Sequence, residues 1–132
     1  MNEAYKKYKV NSVQTASREK ILLMLYEAAI KFTKKAIVAC EEKNISDRGY
    51  NIGRAFDIVN ELNNSLNHKI NQDLCKNLEQ LYMFITDQFV QANVSGKTEH
   101  LKNALRILET LNGGWMQAVE QIKKEGKVGQ ST

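Results

Sequence analysis

The side chains best suited to chemistry are few and dispersed. There are two histidines, His68 and His100, and two cysteines, Cys40 and Cys75. A metal site needs such ligands at fixed short spacings, because one local segment must converge on one ion. Neither histidine stands in an H-E-x-x-H context, and the cysteines form no C-x-x-C pair and have no histidine at ligand spacing. Both cysteines read as reduced structural thiols and both histidines as surface residues. No G-x-S-x-G, Walker or G-x-G-x-x-G segment occurs. The acidic residues are scattered, and none joins an E-x-x-H pair of the di-iron bundle type. Trp115 and the tyrosines recur at helical spacing and read as core. No catalysis, metal or cofactor is therefore expected, and the chemistry to look for is binding.

The elements that would position a binding surface follow from the totals. A chain of 132 residues fits one domain, and 42% hydrophobic with 26% charged residues is the balance of a folded globular protein. No apolar run approaches the ~18 residues of a membrane span. The start of the chain, MNEAYKKYKV, lacks an apolar signal core, so no membrane insertion and a cytoplasmic location are expected. The net charge of +4 is spread along helix faces rather than gathered in a block. With no nucleic-acid motif present, nucleic acid is not an expected partner. The chain contains no proline, the residue that interrupts helix interiors.

The periodicity is helical throughout. Residues 1–16 are a weakly patterned, lysine-rich arm with apolar points at Tyr5, Tyr8, Val10 and Val13. Ser17 caps a first helix over about 17–42, whose stripe runs through Leu22, Leu25, Ala29, Phe32 and Ala36. Ser46 and Asp47 are placed to cap a second helix over 47–66, with Ile52, Ala55, Phe56, Val59 and Leu62 on its stripe. Asp73 opens a third over 73–94, with Leu78, Tyr82, Ile85 and Phe89, stopped at Gly96. Thr98 caps a fourth over 98–125, where Leu101, Leu108, Trp115 and Ile122 recur every seven residues. Its stripe keeps phase across Gly113-Gly114, which predicts one helix with room for a kink. Residues 126–132 read as a frayed tail. Short links between four helices predict an all-α, antiparallel, up-down-up-down four-helix bundle with an N-terminal arm. A monomer or weak homodimer is expected.

One feature exceeds what a simple bundle needs. Beside the core stripe, the first helix carries a second apolar set at Leu23, Tyr26, Ile30 and Ile37. At 100° per residue the two sets span roughly 220° of the wheel, where a surface helix needs a stripe of about 100°. Either neighbouring helices cover both flanks, or the surplus is a groove for a partner helix. Met83 and Phe84, off the main stripe of the third helix, add to the apolar surface outside the core.

An ordered series of short segments resembles the FliS family of flagellar export chaperones. It runs Ala4-Tyr5, Thr15-Ala16-Ser17, Met24-Leu25-Tyr26, Arg54-Ala55, Ile58, Glu61-Leu62, Asn77-Leu78, Leu81-Tyr82, Ala92-Asn93 and Trp115. The sequence departs from the family pattern at Arg18, where proline is usual, at Glu27-Ala28 after M-L-Y, at VSGKTEH after Ala92-Asn93, and at Gly113-Gly114.

The resemblance implies a cytoplasmic chaperone that binds the disordered C-terminal segment of flagellin and prevents premature polymerisation. It also implies delivery to the cytoplasmic domain of an export-gate membrane protein. Leu23, Tyr26 and Ile30 are candidates for one groove, and Ile52, Phe56 and Val59 for another, with Leu25 and Ala55 as further partner-binding candidates. Tyr82, Ile85, Phe89 and Asn93 are further candidates, although the stripe holding the first three is expected to be core. Tyr5, Tyr8 and Val13 of the arm are candidates to cover a groove when no cargo is bound. The competing reading is a non-catalytic helical adaptor for a folded partner.

Overall fold

The computed structural model describes residues 17–131, with side chains over residues 17–125. Four helices follow in order: α1 Arg18–Glu41, α2 Ile45–Asn64, α3 Gln72–Ser95 and α4 Thr98–Ser131. The candidates Tyr5, Tyr8 and Val13 lie outside the described residues.

Local chemistry sets the boundaries. The Lys20 amide donates to the Ser17 hydroxyl at 3.1 Å, which satisfies one of the orphan donors that open α1. At the next link Lys43 adopts φ 58° and turns the chain at once. That places Asn44, rather than Ser46 or Asp47, at the cap of α2. Its side chain accepts from the Asp47 amide and donates back to the Asp47 carboxylate. Asn71 likewise caps α3, two residues ahead of Asp73, by accepting from the Leu74 amide at 3.1 Å.

α3 ends at Gly96, whose φ of 72° lies in the left-handed region that glycine enters without strain. A Cβ there would also fall 2.7 Å from a terminal nitrogen of Arg48. α4 opens at Thr98 and keeps a helical backbone through Gly113-Gly114 and on to Ser131, past the end expected near residue 125.

The helices form a closed ring, with α1 packed on α2 and α4, and α3 packed on the same two. Each runs opposite to its neighbours. The start of α2 meets the end of α3, where Arg48 donates to the Asn93 carbonyl at 3.0 Å. The end of α3 meets the start of α4, where the Gln88 side-chain Oε1 lies 3.2 Å from His100 Nδ1 and accepts from Asn103. The start of α1 lies against Val119 and Ile122 of α4.

The interior collects Ala29 and Ala36 of α1, Ala55, Val59 and Leu62 of α2, Ile85 and Phe89 of α3, and Leu101 and Leu108 of α4. Across the diagonal, the hydroxyls of Tyr26 and Tyr82 hydrogen-bond to one another, with ring centroids 6.4 Å apart. Burial pushes both phenols above their ordinary value. The partner hydroxyl adds to the rise at Tyr82, whereas the hydrogen bond with Tyr82 opposes it at Tyr26. Both groups are therefore neutral at physiological pH.

Candidate partner-binding surface

The ring accounts for the wide apolar face of α1. A helix with two flanking neighbours must present two apolar flanks, and α1 has α2 on one side and α4 on the other. Tyr26 and Ile37 are buried, and Leu23 and Ile30 are half-buried. The neighbouring helices thus use most of the surplus identified in the sequence.

Open apolar surface gathers instead between α2 and α3. Gly49, Ile52, Gly53 and Phe56 recur at i, i+3, i+4 and i+7 along one flank of α2. Opposite them stand Phe89, Val90, Asn93 and Val94 of α3, and together they bound a groove of about 210 Å³. Its floor is Ile52 and Phe89, both buried core residues. Its walls are exposed: Val90 is 50% and Val94 83% accessible. By helical spacing, Ile45 and Met83, at 69% and 60%, lengthen the strip at its two ends. Large aliphatic side chains so open and so close together mark an interaction surface more readily than a solvated face. Gly49 and Gly53 keep the α2 wall low: a Cβ at Gly53 would meet nothing within 4 Å, and one at Gly49 only the Asn93 side chain at 3.9 Å. Arg48, bonded to the Asn93 carbonyl, ties the two helices together near the Asn93 end.

The structure thus brings Ile52, Phe56, Phe89 and Asn93 into one site. Tyr26, Ala55, Val59, Tyr82 and Ile85 are buried in the interior and do not line the groove. Leu23 lies apart in a hollow of about 350 Å³ between α1 and α4, with Val119 and Ile122. Leu25 belongs to a third opening, of about 590 Å³, between α1 and α2 beside Leu22 and Glu61. Ile30 packs against the core margin. Val90, Val94, Gly49 and Gly53 were not among the residues singled out from sequence. The available signal was a second apolar line on α3, Met83, Val90 and Val94, at helical spacing off the main stripe.

Little else on the surface is organised for chemistry. His68 faces Glu79 at 3.8 Å, with both side chains nearly half exposed. Among the described residues, no three His, Cys, Asp or Glu side chains converge as a metal site, and no helix is long and apolar enough to cross a membrane. Cys40 and Cys75 are free thiols, and burial raises the pKa of the Cys40 thiol.

Comparison with known proteins agrees with this architecture. The family described as "Flagellar protein FliS" matches residues 1–122. The flagellar secretion chaperone FliS of Vibrio cholerae is 34% identical over 116 residues, covering 87% of this chain and 85% of that protein. The Bacillus subtilis flagellar secretion chaperone FliS is 31% identical over 121 residues, covering 92% and 90%. A crystal structure described as a flagellar chaperone from bacteria superposes with a TM-score of 0.75 at 24% identity, over 90% of this chain and 97% of that one, a likeness of fold. With a four-helix ring, the ordered sequence segments and near full-length matches in agreement, this chain belongs to the FliS family of flagellar secretion chaperones.

Proposed function

We propose that this chain binds the disordered C-terminal segment of flagellin in the cytoplasm, keeps it from polymerising, and hands it to the flagellar export gate. The observation that carries this reading is the open groove of Ile52, Phe56, Phe89, Val90 and Val94 between α2 and α3. An amphipathic segment that is unfolded alone needs an apolar face to fold against. The groove offers one, with its α2 wall built at i/i+3/i+4/i+7 spacing.

Magnitudes limit how the cargo can bind. Each aliphatic side chain taken from water contributes about 1.5–3 kcal/mol, so the four exposed wall and end residues supply roughly 6–12 kcal/mol gross. Ordering a disordered segment costs about 2–5 kcal/mol or more, and losing translational freedom at least about 4 kcal/mol. One groove therefore about breaks even. Useful affinity requires the segment to run on past it, along the α1/α4 and α1/α2 hollows. Such a wrap releases in stages, which suits a chaperone that must surrender its cargo.

Calorimetry and circular dichroism with a C-terminal flagellin peptide test the reading. Binding should come with a gain in helicity and weaken at least tenfold in Phe56→Ala. If the peptide gives no heat and no helicity, the reading fails. Should a folded partner alone then be bound, the chain is a helical adaptor.

A further inference from the structure

Gly113 and Gly114 stand side by side in the interior of α4, the longest helix. Glycine is unfavourable there because fixing it in a helix surrenders the most backbone freedom. Packing does not require it: a Cβ at either position would meet nothing within 4 Å, and both residues are exposed.

The pair coincides with a change in how α4 is held. Before it, Leu101, Ala104 and Leu108 are completely buried. After it, no residue from 115 to 125 is buried: Trp115 and Val119 are half-covered, and Met116 and Ile122 are exposed. Two atoms beside the pair, Oδ1 of Asn112 and Nε1 of Trp115, are buried without a hydrogen-bond partner. Unpaired buried polar atoms favour any rearrangement that lets water reach them. The distal segment nevertheless covers something. Val119 and Ile122 flank Leu23, and Trp115 lies beside the Tyr26 hydroxyl.

We infer that α4 is hinged at Gly113-Gly114, and that residues 115–125 open away from α1 as a unit while the proximal half stays seated. The distal segment is then a movable cover over Leu23 and the Tyr26 side of α1. Poorly buried segments open at a fraction of the global unfolding free energy, whereas well-packed ones open only with the whole molecule. The inference is independent of which partner the α2/α3 groove takes.

Hydrogen exchange on the full chain, without partner, tests it. Amides of 115–125 should exchange at least about 30-fold faster than those of 101–108, with the step falling at the glycine pair. The double substitution Gly113→Ala/Gly114→Ala, which favours the closed helix, should slow the distal amides by about tenfold or more and the proximal ones by less than about twofold. It should also reduce acrylamide quenching of Trp115, the only tryptophan. Gly53→Ala, another exposed helical glycine with open space, serves as a control that leaves distal exchange unchanged. Rates that climb smoothly toward the C-terminus with no step would mean simple fraying and overturn the hinge. Equal slowing of both halves, unchanged Trp115 quenching, or an equal distal effect from Gly53→Ala would do the same.

Discussion

The centre of the bundle and its α2/α3 flank distribute residue types against intuition. The centre holds two phenol hydroxyls, bonded to each other across the α1/α3 diagonal. The flank leaves valine, isoleucine and methionine open to solvent. The phenols tolerate burial because each satisfies the other, so the desolvation cost of either is largely offset. Among the described residues the flank has no such partner, because the ring places none of the four helices outside α2 and α3. At the centre, the chain itself completes the two buried phenols. At the flank, none of the described residues completes the exposed apolar surface.

That contrast can be broken from either side. The largest effect is expected at Phe89, which belongs to both regions as a fully buried core residue and as groove floor. Phe89→Ala should cost about 3–5 kcal/mol in urea denaturation and abolish peptide binding along with stability.

Next comes the diagonal pair. Tyr82→Phe strands the buried Tyr26 hydroxyl and should cost about 1–3 kcal/mol. Adding Tyr26→Phe should recover part of that loss, since removing both partners avoids an orphaned group. A double-mutant cycle that shows simple additivity would mean the hydroxyls are not coupled.

An alkaline effect follows from the same pair. Both phenols have folded-state pKa values above the ordinary 10. The stability they contribute is thus complete below about pH 10 and declines as pH rises beyond it, where the unfolded chain loses protons that the folded one retains. Thermal melts from pH 8 to 11 should show a falling Tm, and the double Phe variant should flatten that slope.

The smallest effect on stability belongs to the groove wall. Val90→Ser should change stability by no more than about 0.5 kcal/mol while weakening flagellin-peptide binding about tenfold or more. If it destabilised the free protein as much as Tyr82→Phe does, the wall would be core and the contrast would vanish.

What could be read in the sequence depended on how local the cause was. The Ser17 cap and the Gly96 stop are decided within four residues, and both stand where the pattern placed them. The α2 cap moved because Asn44, Ser46 and Asp47 can all cap a helix. The left-handed turn at Lys43, invisible in composition, selects among them. The α3 stripe of Tyr82, Ile85 and Phe89 was legible as core because period 3.6 reports one buried face.

The α1 surplus was visible but ambiguous. A helix with two neighbours and a helix with one neighbour and an open groove show the same wide apolar arc. Only the order of helices around the ring separates them. For that reason Tyr26 proved to be buried and Leu23 half-buried, while Val90 and Val94, unremarkable singly, line the open site.

The ring closes between the first helix and the last, where Ser17, Lys20 and Leu23 meet Val119 and Lys123. Those partners are about a hundred positions apart along the chain. During synthesis the helices emerge in order, and α1 waits with one oily flank unshielded until the ribosome has released α4. Bringing such distant ends together costs only slightly more entropy than closing a shorter loop. It can nonetheless form only after both ends have been made, so during synthesis the flank of α1 that α4 covers stays open to water.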